Sequence, residues 1–404
     1  MVDRPLNVMY VLVRGLVPEL TESVRIQEGG RLDFPESYEL NPVVRLFPEV
    51  DFVFIVGIIL SLLALAFSYD AVSGERESGV LKLLMSYSVP RDLVLLGKWI
   101  GGYLALVAPF LLAFLAGLVL AVLFPQVEPT LESTLSILGL LVLALLYLGA
   151  IFSLGLFVSS RTSLASTSIT VLLLTWVVLI LALPNMAPYL TSQVFPAPSR
   201  ESVDREKQEV QQEGGRKIQE MAREEQQRTG KQMVWADEAF RAKLEDFGKE
   251  IQVQVQKVED GYLAAMRTQT RWSGIAARLS PLTSFNLAAL DLSAAGLAQE
   301  SRFVDALRTY GQTWQAYSKQ KREALEKFYA EKQKQSKDGR ISITPEEMAP
   351  FNKMDLSDYP RFKFEFMGFV DRLGAVWVDV LLLGLWNVVF FMLAYLSFLR
   401  RDVQ

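Results

Sequence analysis

Asp70, Glu75, Arg76, Glu77, Lys82, Arg91, Asp92 and Lys98 crowd into one stretch, SYDAVSGERESGVLKLLMSYSVPRDLVLLGKW, of a 404-residue chain. Two of its most apolar segments flank the stretch, so the first question is what this charge touches. A hydrolase of ordinary type is not expected. Histidine and cysteine are both absent, which removes thiol nucleophiles, disulfides, imidazole acid–base chemistry and the usual zinc and haem ligands together. No catalytic residue and no metal site is assigned. Gly97-Lys98 and Gly248-Lys249 lead into helix-like sequence but lack the earlier glycine and following hydroxyl of a G-x-x-x-x-G-K-[ST] phosphate loop. Neither a G-x-S-x-G elbow nor an H-E-x-x-H helix occurs. No cofactor is expected in this chain, and any ATP-driven energy source is expected to be a second protein.

The elements that must position the cluster are membrane spans. Apolar residues make up 51% of the chain, and five runs reach the length of ~20 residues that crosses a hydrocarbon core. They are Phe52 to Tyr69, Trp99 to Phe124, Ser133 to Val158, Leu164 to Pro184, and about Leu373 to Phe398. Orientation follows from basic residues in short loops. Arg76, Lys82, Arg91 and Lys98 share one side with Arg161, Arg400 and Arg401, and that side is read as cytoplasmic. The loop Pro125 to Glu132 has Glu128 and Glu132 but no basic residue, and is read as outside.

These assignments divide the chain into an extracytoplasmic N-terminal segment (1–51), a transmembrane domain (52–184) with a cytoplasmic elbow (70–98), a helical extracytoplasmic domain (185–370), and a last span with a cytoplasmic tail (371–404). The fold class is an all-α polytopic membrane protein with five transmembrane helices. An outer N-terminal segment without a signal-like run leads us to expect a sixth span upstream of Met1, the alternative being translocation of the N-terminus by pairing with its first hairpin.

Inside the spans the polar groups are few. Ser61, Ser153, Ser166, Thr167, Ser168, Thr170 and Thr175 supply hydroxyls in the first four. In the last, Asp379 lies near the outer end and is read as snorkelling to the interface. Asn387, near the middle, is read as bonding another helix. Gly101 and Ala105, then Ala113, Gly117 and Ala121, repeat at four-residue spacing in the second span. Such small residues permit close helix packing or a dimer seam. None of these groups is assigned to substrate.

From Arg200 to Lys337 the sequence turns to Glu, Lys, Arg and Gln, with an apolar stripe at threes and fours from Phe240 through Ile251 to Met266 and a second from Phe303 to Phe328. These predict long helices in a hairpin or small bundle, with the stripes packed together. Gly230 ends the helix before the first stripe. Thr283 to Ala295 is expected to be an amphipathic helix at the outer interface. "ITPEEMAPF" and "DLSDYPRFKFEF" are expected to be extended connections, with a short strand as one option. A solvated spacer and a docking arm for an envelope partner both fit this region.

The elbow is expected to hold one helix from Val72 to Tyr87 lying along the membrane, with Val80, Leu81, Leu83, Leu84 and Met85 on its apolar face. A break follows, and Ser88 or Val89 caps a second helix with Pro90 in its first turn. Such an elbow can pass a push from a soluble partner into two spans at once. An ordinary interfacial loop fits the same residues.

The stretch YDAVSGERESGVLKLLMSYSVPRDLVLLGKW resembles the loop after the second span of ABC-2 type export permeases. There an Asp-x-x-x-Gly-Glu-(Lys/Arg)-Glu-x-Gly-(Thr/Val)-Leu run precedes a Ser-x-Pro-like break, an Arg and a Gly-Lys. Asp70, Gly74, Glu75, Arg76, Glu77, Gly79, Leu81, Arg91, Gly97 and Lys98 occupy those positions. "LSPLTSFNLAALDL" is similar to the family's interfacial segment before the final span. The subgroup it resembles has a large extracytoplasmic insert and is related to permeases of nitrous oxide reductase maturation and gliding motility.

The resemblance implies six spans, a dimer of permeases, and a coupling helix against a separate ATP-binding subunit that binds ATP and Mg. On that basis Asp70, Gly74, Glu75, Arg76, Glu77, Gly79, Arg91 and Lys98 are the expected ATPase-coupling residues. Glu75, Arg76, Glu77 and Arg91 are expected to make the contact. The expected partners are an ATP-binding-cassette ATPase, a second permease as homodimer or heterodimer, the lipid bilayer, and an envelope partner through the outer domain, with no nucleic acid. The expected location is a bacterial or archaeal cytoplasmic membrane. The resulting function is export of a substrate by the permease subunit of an ATP-binding-cassette exporter. Mechanical work on an envelope partner without transport, or a plain membrane scaffold, are the alternatives.

Overall fold

The structure is a computed structural model that describes residues 2–3, 7–13, 23–26, 32–33, 50–87, 89–124, 130–230, 238–335 and 360–400. Ser88, Glu128, Arg401 and the "ITPEEMAPF" connection lie outside the described residues. Packing divides the chain into two units, Met1–Thr175 with Ser284–Gln404, and Trp176–Thr283.

Five helices among the described residues are long and apolar enough to cross a membrane, each covering one of the predicted runs. The first, α1 (residues 52–68), opens at Asp51, whose carboxylate accepts from the Phe54 amide at 2.8 Å. It contains a π-helical stretch, Ile55–Leu60, before returning to α geometry at Ser61–Ser68. Two short helices follow, α2 (Ser73–Glu77) and α3 (Val80–Ser86), and then the second span, α4 (Arg91–Val122). The third span, α5 (Leu131–Arg161), starts with a reciprocal Thr130–Ser133 capping box. The fourth, α6 (Ala165–Val194), contains a second π-helical stretch, Val177–Ala182. Then come α7 (Arg200–Thr229), α8 (Glu238–Ala277), α9 (Pro281–Leu292), α10 (Leu297–Gln335) and the last span, α11 (Phe369–Arg400).

The all-α expectation holds for the spans and for the long helices between them. Near the N-terminus the chain adds a small antiparallel ladder, β1 (Val2–Asp3), β2 (Ser23–Ile26) and β3 (Leu32–Asp33), paired in that order. The exit before α11 is extended, without regular secondary structure, from Pro360 to Gly368.

In the first unit α5 is the central post. Protein buries 56% of its apolar window, against 17% for α4. It packs along α11, where the Asn387 amide donates to the Leu146 carbonyl at 2.8 Å, an interhelical bond as the sequence predicts. From α4, Tyr103 donates to Leu145 O at 2.6 Å and Trp99 to Ser153 Oγ at 2.8 Å. From α1, the contact is close enough that a Cβ at Gly155 would fall 1.8 Å from Ser68 Oγ. Tyr147, fully buried on α5, donates to the Gly57 carbonyl in the π-helical stretch at 2.8 Å. Ser61 donates to that same oxygen at 2.7 Å.

One expectation is corrected here. Asp379 does not snorkel: its side chain is fully buried within the protein, so it does not reach interfacial water. Helix α9, expected at the outer interface, has no exposed face. Phe285, Ala288, Ala289 and Leu292 are buried, with Phe285 stacked on Tyr147 at 5.0 Å. The alternation that reads as amphipathic serves protein contacts. At the C-terminal end of α9, the buried Arg372 of α11 donates to Leu292 O at 2.7 Å and Ser136 Oγ at 3.1 Å, and pairs with Glu132 at 3.4 Å.

Each long stripe has a partner within its own unit. Phe303, Leu307 and Tyr310 of α10 pack on Phe362 and Phe364 of the extended exit, and Tyr310 donates to Pro360 O at 2.8 Å. In the second unit, α8 lies against α7, where Gly214 leaves room for Ile251 and Glu259 pairs with Arg200 and Lys207. Gly230 closes α7 in the left-handed conformation, φ 65°, as the sequence predicts.

Candidate coupling site

The elbow between α1 and α4 is two helices, not one. Gly79 adopts φ 76°, a left-handed conformation that costs an ordinary L-residue about 1 kcal/mol. The helix expected from Val72 to Tyr87 therefore stops at Glu77 and restarts at Val80. The apolar face also differs from expectation. Leu81 is fully buried and Met85 packs beside it, whereas Val80 and Leu83 are exposed. Leu81 joins Val72, Leu95, Leu156, Ala394 and Phe398 in one core cluster that draws on the elbow, α4, α5 and α11. At the second break Pro90 is the N-cap itself and α4 begins at Arg91, one position later than expected.

Short polar bonds fix this elbow to its surroundings. Helix α2 has Val72 as N-cap, which offers no capping side chain. Ser159 of α5 supplies the cap from across the interface: its hydroxyl accepts from the Val72 and Ser73 amides, both at 3.0 Å. A cap of this kind contributes about 1 kcal/mol. Gly74 sits where a Cβ would come within 3.1 Å of Asp70 Cβ, while Asp70 itself is exposed.

The charged residues face three helix ends with the sign each end favours. Arg76 donates to Thr162 O at 2.6 Å, at the C-terminus of α5. Arg91 donates to Leu399 O at 3.2 Å, in the last turn of α11. Glu77 accepts from the Ala165 amide at 2.9 Å, at the N-terminus of α6. Helix C-termini favour cations and N-termini favour anions, by about 0.3–1 kcal/mol each at exposed sites. Lys98 of α4 pairs with Glu75 at 2.5 Å and donates to Ala71 O at 2.8 Å. With Arg91 and Lys98 included, the elbow thereby bonds to the near ends of α5, α6 and α11 and joins α1 to α4.

The expected contact residues Glu75, Arg76 and Arg91 are thus half-buried and engaged inside this chain, and Glu77, though exposed, is bonded to Ala165. What faces outward is Lys82, Leu83, Ser86, Tyr87 and Asp92, with Leu83 63% and Tyr87 64% exposed. Asn387 lies on α11, apart from the elbow. Sequence reasoning missed Ser159 as the cap. The available signal was the Ser159-Ser160 pair closing an otherwise apolar span. Among the described residues no cluster of metal-ligating side chains occurs.

Comparison with known proteins agrees with this architecture. The sequence model of the family described as ABC-2 family transporter protein matches residues 5–403. The probable ABC transporter permease protein NosY of Pseudomonas aeruginosa is 38% identical over 112 residues, 27% of this chain and 40% of that protein. Its counterpart of the same name in Stutzerimonas stutzeri is 42% identical over 71 residues, 17% of this chain and 26% of that protein. The matched stretches thus span less than half the length of either relative. Because the family match runs over nearly the entire sequence, this chain belongs to the ABC-2 transporter family.

Proposed function

We propose that this chain is the permease subunit of an ATP-binding-cassette exporter, driven through its elbow by a separate ATPase that binds ATP and Mg. The observation that carries the proposal is the fastening of the elbow to four spans: α2 is bonded to α4, α5 and α6 through the Lys98–Glu75 pair, Ser159, Arg76 and Glu77, Leu81 of α3 shares a core with α4, α5 and α11, and Arg91 at the start of α4 is bonded to α11. A force on such an elbow is shared by the bundle and does not simply bend a loop. In this proposal Glu75, Arg76 and Arg91 fasten the elbow internally, and the ATPase seats on the outward rim of Lys82, Leu83, Tyr87 and Asp92. Gly74 and Gly79 permit the close turn and the break, and Asp70 flanks the seat.

The charge of the short loops supports a cytoplasmic elbow, and therefore an extracytoplasmic position for residues 185–370, in a bacterial or archaeal cytoplasmic membrane. A second permease, identical or a sister chain, completes the unit. The α7–α8 arm and α10 are available to an envelope partner.

The test is coexpression with candidate Walker-motif ATPases encoded beside this chain. Leu83→Asp and Tyr87→Asp should leave span assembly intact, since both side chains are exposed, and should reduce ATPase copurification and permease-stimulated ATP hydrolysis tenfold or more, a loss of roughly 1.4 kcal/mol or above. If the rim variants retain full copurification and hydrolysis, the seat is elsewhere. If no ATPase copurifies with the unaltered chain, the coupling proposal fails.

A further inference from the structure

The second unit carries an apolar surface that neither the elbow nor the arm explains. Helix α6 runs for 30 residues, about 45 Å at 1.5 Å per residue, whereas ~20 residues cross the hydrocarbon core. Its first amide is held by the Glu77 carboxylate, so the surplus lies at the other end, where the side-chain amides Asn185 and Gln193 first occur. The end of α8 packs against this overhang. Trp272 stacks on Phe195 with centroids 5.5 Å apart and planes within 6°.

Both helix ends expose large apolar side chains, alongside the polar Asn185, Gln193, Thr268 and Thr270 and the cationic Arg267 and Arg271. Tyr189 is 65% exposed, Leu190 53%, Trp272 46%, Ile275 46% and Leu279 62%. Farther along the same helix, between Lys243 and Asp260, the exposed side chains are Glu, Asp, Lys and Gln, with Val253 the exception. Charge sign changes along α8 as well. Asp260 is the last acidic residue before Asp291, while Arg267, Arg271 and Arg278 follow it. Aromatic and aliphatic groups interleaved with arginine and cleared of carboxylates suit the boundary between headgroups and acyl chains. There indole and phenol rings settle, and arginine meets phosphate.

We propose that this end of the second unit is a lipid-binding collar: Tyr189, Leu190, Trp272, Ile275 and Leu279 enter the headgroup layer of the bilayer that α6 crosses, and Arg267 and Arg271 contact lipid phosphates. The occupant is phospholipid. Continuity with the apolar surface of α6 favours it, because the collar prolongs a face that already meets lipid.

The absence of native cysteine makes the test direct. Ile275→Cys, Leu279→Cys and, as the solvated control, Val253→Cys carry a nitroxide label in the full chain, reconstituted in vesicles of equal parts phosphatidylcholine and phosphatidylglycerol. Accessibility is read by power saturation with oxygen and with a water-soluble nickel chelate. Labels at 275 and 279 should favour oxygen over the chelate several-fold, and the label at 253 should show the reverse. A label at 275 or 279 that follows position 253 places the collar in water and overturns the proposal. Shielding from both agents also overturns it, since a protein surface, such as a second copy, would then cover the site.

Discussion

At Gly155 the first and third spans approach too closely for a side chain. A methyl group there would lie 1.8 Å from Ser68 Oγ and 2.6 Å from Ser68 Cβ, with no flexible chain to move aside. Gly155→Ala should therefore cost about 1–3 kcal/mol through overpacking, read as a lowered thermal midpoint in detergent. Ser68→Gly in the same chain should recover most of it, because Ser68 Oγ otherwise bonds only its own helix, to Ala64 O at 2.7 Å and Leu65 O at 3.3 Å. A Gly155→Ala protein as stable as the parent would show that α1 and α5 do not approach this closely. At this scale the sequence is nearly mute. Gly155 and Ser159 look like ordinary small residues in an apolar run, and what defines them lies 87 and 86 positions away, at Ser68 and Ser73.

Elements were more legible, for a physical reason. A span announces itself by twenty residues of hydropathy, and all five were readable from that alone. The elbow's charge was also visible, but its direction was not: Arg76 and Arg91 satisfy backbone carbonyls 86 and 308 residues away, and carbonyls have no sequence signature. Likewise α9 has the alternation of a surface helix because burial in protein and burial in lipid ask for the same apolar face. The elbow's hold on α6 can be tested as an element. Glu77→Ala removes the acceptor for the Ala165 amide and should cost about 0.5–1 kcal/mol locally, as for an exposed cap. Hydrogen exchange should then quicken in the first turn of α6 and leave α5 unchanged; uniform protection would mean that the bond holds nothing.

At the scale of the molecule, the first unit is tied at both ends of α5. The elbow binds one end through Ser159 and Arg76, and Arg372 binds the other, joining α11 to Glu132, Ser136 and the last carbonyl of α9. Removing the upper tie should weaken the bundle without touching the elbow. Arg372→Met forfeits its bonds to Leu292 O and Ser136, and Glu132 remains hydrated because it is 60% exposed. The expected loss is about 1.5–3 kcal/mol, the range for hydrogen bonds to a charged group. It should be read as thermal destabilisation, with ATPase copurification through the elbow retained. If copurification falls in step with stability, the two ends are not separable.

The π-helical turn in α1 gives this bundle a reserve of length. Ile55–Leu60 holds one residue more than an α-helix needs over the same rise, and hydroxyls from Tyr147 and Ser61 secure the carbonyl at Gly57. A deletion within that turn can be absorbed by conversion to α geometry, while one lower in the span must turn everything beyond it by about 100°, the angle per residue of an α-helix. Deleting Ile59 should therefore leave a folded, elbow-competent permease. Deleting Leu63, comparably exposed at 40% against 49%, should not. Expression and thermal stability of the two deletion variants measure the difference, and the chain's first span becomes a place where evolution could lose a residue without losing register.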